Sequence, residues 1–196
     1  ALYPHVDILP VCADFTKRVV LPQPEQAPRR TIVYFPGSTI GNFVPENAAR
    51  LLRQIADTCG AGGGLLVGVD LQKDVRVLEA AYNDAKGVTA DFNLNLLRRI
   101  NRELDASFDL EQFEHLAYYD HAEGRVEIHL ESKTDQTVNI GDEAVDFTAG
   151  ERIHTENSHK YTIEGFAKLA AAAGFRLKEN WCDARDMFAV LLFELG

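Results

Sequence analysis

Two apolar runs, each followed by a segment of helical or mixed polar character, restrict the architecture more than any other feature of the chain. The run at 31–35 is β-branched and aromatic and stops at Pro36-Gly37, as a buried strand does. Beyond it, Pro45 suits the first turn of a helix and Glu46 favours the helix dipole there. Ala48, Leu51, Leu52, Ile55 and Ala56 then recur at helical spacing. The run at 65–71 is apolar except for Asp70, and a long helical region follows from about 75 to 104, with Gly87 interrupting it. Apolar strands alternating with helices predict a parallel α/β sheet.

The flanking segments extend that frame. Residues 6–12 read as a short strand ending near Asp14, kept at an edge by Pro10. A proline-rich loop follows at 21–28. From Phe113 the period changes to two, and 113–119, 125–132 and 136–140 read as antiparallel strands. Residues 151–158 read as extended or looped. An alanine-rich amphipathic helix is predicted over 162–173, with Thr162 as its N-cap and Gly174 past its end. Strands at 175–181 and 187–193 close the chain as a hairpin that adds one antiparallel strand to the sheet. The expected organisation is a partial α/β core over 1–104, an inserted α+β lobe over 105–155, and a C-terminal helix and hairpin over 156–196 that complete the core.

The chain of 196 residues carries 20 Lys and Arg against 30 Asp and Glu, a net charge of −10. That balance disfavours a phosphate-backbone partner, which needs clustered cations. No apolar run approaches the roughly 20 residues that span a bilayer, so neither nucleic acid nor membrane is expected as a partner. Cys12, Cys59 and Cys182 are an odd, widely spaced set without a CxxC pair. They suggest neither a disulfide framework nor a zinc ribbon, and predict a reducing, cytoplasmic compartment.

Several clusters have both a chemical and a structural reading. Gly37-Ser38-Thr39-Ile40-Gly41-Asn42 follows a strand at the carboxyl edge of the sheet, where α/β ligands bind. Its amides suit a carboxylate or a cofactor edge, but a plain strand-to-helix turn has the same residues. Gly60-Ala61-Gly62-Gly63-Gly64 precedes a strand, so it reads as a helix stop and not as a dinucleotide loop. Glu127, His129 and Glu131 alternate along one strand face, which suits a solvated face better than a metal site. No metal is expected. Glu156 and Ser158, two apart on an extended segment, point the same way. They can grip an imidazole or ammonium, or serve as capping groups for the next helix. The stretch from Tyr82-Asn83-Asp84 to Asn93 is unusually polar for a helix, reading either as a site or as a kinked, solvated surface.

Four ordered motifs resemble one family. They are Phe35-Pro36-Gly37-Ser38-Thr39-Ile40-Gly41-Asn42, then Gly68-Val69-Asp70-Leu71-Gln72-Lys73-Asp74, then Ala81-Tyr82-Asn83-Asp84-Ala85 with Gly87-Val88-Thr89-Ala90 and Phe92-Asn93, and finally Ile153-His154-Thr155-Glu156-Asn157-Ser158 with Lys160-Tyr161. In this order they resemble the histidine-specific N-alpha-methyltransferases of ergothioneine biosynthesis. The resemblance implies a Rossmann-like class I methyltransferase sheet with an inserted substrate lobe. It implies transfer of methyl groups from S-adenosylmethionine to the α-amine of histidine, giving hercynine, with no metal. It also implies that Asp14 and Phe15 flank the cofactor's adenine and that Gly37 and Ser38 lie against the cofactor. Gly37, Asn42 and Tyr82 meet the amine and carboxylate end of the substrate, Asn42 and Tyr82 as the catalytic pair, while Glu156 and Ser158 hold the imidazole. Ile128 stands where family members often carry Met, which bears on the choice of amine. Relatives with another amine substrate, or ligand-binding relatives without catalysis, are the competing readings.

The family's acidic-x-Gly-x-Gly cofactor loop is not found, so the chain is expected to be the C-terminal part of such an enzyme, inactive alone. The missing first strand would lie beside the strand at 31–35. Its absence predicts an exposed edge through which two copies pair, or a repacking of residues 1–30.

Overall fold

The computed structural model describes residues 6–196. His5, among the six histidines, lies outside the described residues. The first sheet starts with strand β1 (Ile32–Phe35), which leads through a 3-10 turn (Thr39–Asn42) into helix α1 (Pro45–Cys59) and strand β2 (Gly64–Asp70). β1 and β2 are parallel, in register from Ile32 opposite Gly64 to Phe35 opposite Val67. The glycine cluster does end α1, with Gly60 at φ 66° as its C-cap.

Two helices follow, α2 (Val75–Tyr82) and α3 (Val88–Leu104). The break between them is built by Asp84, whose carboxylate accepts from the backbone N–H groups of Val88 and Thr89 at 3.0 and 2.9 Å. Strands β3 (Phe113–Asp120), β4 (Arg125–Ser132), β5 (Gln136–Ile140), β6 (Glu143–Phe147) and β7 (Arg152–His159) form the lobe. They make a three-stranded sheet ordered β3-β4-β7 and a separate β5-β6 hairpin. β6 has no apolar alternation strong enough to predict it, and it is exposed along most of its length. The expected boundary at 155 falls inside β7, which pairs with β4 along its length. Helix α4 (Ile163–Ala171) and strands β8 (Phe175–Cys182) and β9 (Phe188–Leu195) return to the first sheet, giving the order β1-β2-β9-β8. β9 is antiparallel to β2 and to β8, as the closing hairpin predicts. Thr162 caps α4, its side chain accepting from the Gly165 N–H.

The expected strand at 6–12 does not form. Those residues are irregular, and Val6, Ile8, Leu9 and Val11 are all exposed. A β-branched, apolar segment becomes a strand when an adjacent strand completes its ladder, and no described strand pairs with it.

Ile40, Leu52, Leu65, Val67, Phe166 and Phe193 are fully buried at the centre of the first core, where α1 and α4 cover the sheet. The lobe has a second core of Leu97, Phe108, Phe113, Leu130 and Val138, with the Phe113 and Phe147 rings edge-to-face at 5.5 Å. A third cluster, Leu78, Ala117, Val126 and Ile128, fastens α2 to the lobe sheet and carries Tyr82 on its margin. The two sheets meet where β7 ends. Leu71 and Tyr161 form a parallel bridge, the Tyr161 N–H donating to the Asp70 carbonyl at 3.0 Å and the Gln72 N–H to the Tyr161 carbonyl at 3.0 Å. Gly41 lies against the same junction. A Cβ at that position would sit 2.8 Å from the His159 carbonyl oxygen, so only glycine permits this approach.

Candidate active site

The carboxyl ends of β1 and β2 and the end of β7 converge on one corner of the molecule. Glu156, Ser158 and Lys160 follow the period of two along and just past β7, which presents them on a common side. The Asn42 side-chain amide, at the end of the 3-10 turn, donates to Glu156 Oε1 at 2.8 Å. Burial raises the Glu156 carboxyl above the ordinary glutamate range, and the charge of Lys160 offsets part of that rise. Tyr82, the last residue of α2, places its hydroxyl 2.7 Å from Ser158 Oγ. The sequence-derived residues Asn42, Tyr82, Glu156 and Ser158 are therefore one connected group.

Lys160 joins them and was not singled out from the sequence. Its ammonium donates to the Tyr82 hydroxyl oxygen at 2.7 Å and to Ser158 Oγ at 2.8 Å, and pairs with Asp70 Oδ2 at 2.8 Å. Its side chain is 1% exposed, a burial that a lysine tolerates when its charge is paired and all three protons are used. Lys73 takes the other Asp70 oxygen and donates to the Met187 carbonyl at 2.6 Å. The available signal was the spacing itself, since Lys160 continues the Glu156, Ser158 alternation.

Ile128 is buried opposite Glu156 in the β4–β7 register and packs with Leu78, Ala117 and Val126. The polar stretch after Tyr82 divides by role. Asn83 donates to the Ala117 carbonyl at 2.9 Å and buried Asn93 to the His129 carbonyl at 2.9 Å. With Asp84 as the α3 cap, those residues hold the fold, and Tyr82 alone of the stretch reaches the site.

The expected cofactor residues are spread more widely. Gly37 adopts φ 75° with open space where a Cβ would stand, so its backbone is free to contact a ligand. Ser38 is left-handed at φ 57°, and its Oγ accepts from the Asp70 N–H at 2.9 Å, which ties the turn to β2. The Phe15 ring lies 5.7 Å from Phe35 and 6.3 Å from Phe43. It also lines a cleft of about 800 Å³ between residues 15–21, β1 and α1. That cleft does not reach Glu156 or Ser158. Asp14 Oδ1 accepts from Thr16, and its Oδ2 pairs with exposed Lys17 at 3.4 Å.

The expected solvated face at Glu127 and His129 is overturned, for both are buried. The His129 ring stacks between Tyr118 at 5.5 Å and His154 at 4.6 Å, and these neighbours exclude the water that an isolated strand would meet. Glu127, His129 and His154 bring ligand atoms within 4.8 Å of one another. Both Glu127 oxygens are nonetheless occupied, Oε1 by the Arg125 guanidinium at 2.6 Å and Oε2 by the Tyr118 hydroxyl at 2.8 Å and His129 Nε2 at 3.1 Å. A cation there would have to displace an ion pair.

Comparison with known proteins defines the class. The chain belongs to the histidine-specific, S-adenosylmethionine-dependent methyltransferases, whose family model matches residues 1–195. It is 43% identical over 194 residues to histidine N-alpha-methyltransferase of Mycolicibacterium smegmatis, covering 98% of this chain and 60% of that protein. The histidine N-alpha-methyltransferase of Mycobacterium tuberculosis is 41% identical over 194 residues, covering 97% and 59%. Ergothioneine biosynthesis protein 1 of Neurospora crassa is 30% identical over 164 residues, covering 82% of this chain and 18% of that protein. The chain thus spans about 60% of the length of the first two relatives.

Proposed function

We propose that this chain carries the amino-acid site of an S-adenosylmethionine-dependent enzyme that methylates the α-amine of histidine to give hercynine. The observation that carries the reading is the pairing on β7 of a carboxylate and a hydroxyl, Glu156 and Ser158, each held by a second side chain from another element. A neutral imidazole offers one N–H donor and one acceptor nitrogen. Glu156, anchored by Asn42, accepts the N–H, and the Ser158 hydroxyl serves the second nitrogen. The backbone of Gly37 and the side chains of Asn42 and Tyr82 border the amine and carboxylate end. Ile128 forms the apolar wall behind Tyr82.

The residues present fit part of the cofactor. Phe15, beside Phe35 and Phe43, offers an aromatic face for adenine, next to the Asp14 carboxylate, and the open backbone at Gly37 and Ser38 lies at the carboxyl end of β1. The cofactor supplies an electrophilic methyl group on sulfonium sulfur. What this chain's residues do is position the amine, keep it free of strong acceptors that would hold it protonated, and align it for in-line attack, where orientation is worth several orders of magnitude in rate.

The test is calorimetric titration of histidine and S-adenosylhomocysteine, with a methyl-transfer assay over an amine panel, on the protein at its full natural length. Histidine is expected as the best substrate, and Glu156→Ala and Ser158→Ala to lower its kcat/KM about tenfold or more, the cost of stranding a buried partner. Faster turnover of another amine overturns the histidine assignment, and histidine binding without methyl transfer overturns the enzymatic one.

A further inference from the structure

We infer that Lys160 is a positioning residue that sets the hydrogen-bond polarity of the substrate site, by filling a lone pair of the Ser158 hydroxyl so that it faces the ligand only as a donor. This rests on the proposed reading of Glu156 and Ser158 as the imidazole grip, and deepens it.

The inference follows from counting protons. The Lys160 ammonium has three, and its three short contacts are all to acceptors: Asp70 Oδ2 at 2.8 Å, the Tyr82 hydroxyl oxygen at 2.7 Å and Ser158 Oγ at 2.8 Å. The two hydroxyls are themselves 2.7 Å apart, so the three groups form a closed triangle. Each hydroxyl owns one proton and two lone pairs. Each spends one lone pair on Lys160, which can donate and never accept. One hydroxyl must then donate to the other. The geometry allows either direction, and we assign the donor to Tyr82, whose phenol is the more acidic. Ser158 Oγ then has both lone pairs filled, one by Lys160 and one by Tyr82. Its own proton has no acceptor in the triangle and is left for the ligand. The site presents one acceptor, the Glu156 carboxylate, and one obligatory donor, the Ser158 hydroxyl. That pair selects a ring with one N–H and one bare nitrogen.

Asp70 holds the device in place. Lys73 occupies its other oxygen, so Asp70 is fixed from both sides and the Lys160 ammonium is fixed with it. Without Lys160, Ser158 Oγ keeps a free lone pair and can accept from the ligand as well as donate to it, so the donor requirement vanishes.

The test compares histidine with the two pyrrolylalanines, each of which keeps one ring N–H and replaces the other nitrogen by C–H. In the wild-type protein at its natural length, histidine is expected to be favoured over the better pyrrolylalanine by roughly tenfold or more in kcat/KM, because the analogue leaves the Ser158 donor unpaired. Lys160→Met, checked for folding by circular dichroism, is expected to reduce that ratio several-fold and to raise the KM for histidine more than it lowers kcat. Asp70→Asn, which keeps the side-chain shape and releases the ammonium, is expected to lower the ratio in the same direction, and carries the test if the methionine variant does not fold. A ratio unchanged in a folded variant, with both ligands weakened alike, reduces Lys160 to a structural ion pair and overturns the inference. Wild-type protein without a preference for histidine over the pyrrolylalanines overturns the imidazole grip itself, an outcome visible before any variant is made.

Discussion

Glu127 and His129 illustrate how far one residue's meaning depends on its neighbours. Alternation on β4 makes them look solvated, and the stack of Tyr118, His129 and His154 buries them. Burial holds the His129 imidazole below its ordinary value of 6.5, against the opposing pull of Glu127, and burial with the charge of Arg125 does the same for His159. Both take up a proton less readily in the fold than in the unfolded chain, which does so near 6.5. Their contribution to stability is therefore complete above that pH and is lost as the pH falls through it toward the folded values. Glu127 behaves as an acid with a depressed value. Burial raises it, but hydrogen bonds from Arg125, Tyr118 and His129 prevail and hold it at about 2 against 4.5. Its contribution persists above 4.5 and is lost as the pH falls from there toward 2. Urea denaturation is expected to show a lower midpoint at pH 5.5 than at pH 8, and a further drop below pH 4.5. Equal midpoints at pH 8 and pH 5.5 would contradict the lowered proton affinity of the two histidines. At this scale the sequence disclosed Asn42, Tyr82, Glu156 and Ser158 through ordered motifs. It did not disclose Lys160, because nothing local distinguishes a lysine that a distant aspartate buries from one that solvent surrounds.

Elements were legible where local chemistry builds them. The helix starts at Pro45 and Thr162, the stop at Gly60 and the break at Gly87 are all encoded within a few residues, and the structure has each of them. The α2–α3 break makes a prediction of its own. Asp84 accepts from two backbone N–H groups at the start of α3, and this draws its carboxyl below the usual range. Asp84→Ala is expected to destabilise the protein, lowering the midpoint of thermal or urea unfolding, because two helix N–H groups lose their acceptor. Because Tyr82 ends α2 only two residues earlier, the same variant is expected to raise the KM for histidine. The strand β6, for which the sequence gives no signal, and the 6–12 segment, which reads as a strand and is irregular, share a common reason. Strand formation depends on a partner, and the partner of a strand can be any segment of the chain or none.

For the whole molecule, the exposed feature of the fold is the outer edge of β1. Among the described residues no strand pairs there, and Ile32 and Tyr34 are 46% and 66% exposed. An apolar edge of this kind is a template for another strand. The 196-residue chain in isolation is expected to self-associate, and Tyr34→Lys to reduce that association, as read by sedimentation velocity. A monomer at all accessible concentrations would show that the edge is protected. Length matters here too, since the chain spans about 60% of the histidine N-alpha-methyltransferases it resembles.

The parallel α/β core, the closing antiparallel hairpin and the family were readable from the order of residues alone, because periodicity, caps and glycine turns act over a few positions and ordered motifs survive without coordinates. The buried Tyr118–His129–His154 stack and the Lys160–Asp70 anchor were decided by tertiary structure. Both join residues brought together from different elements, and the polarity of a hydroxyl or the protonation of a buried histidine is set by whichever groups the fold places within 3 Å or so of it.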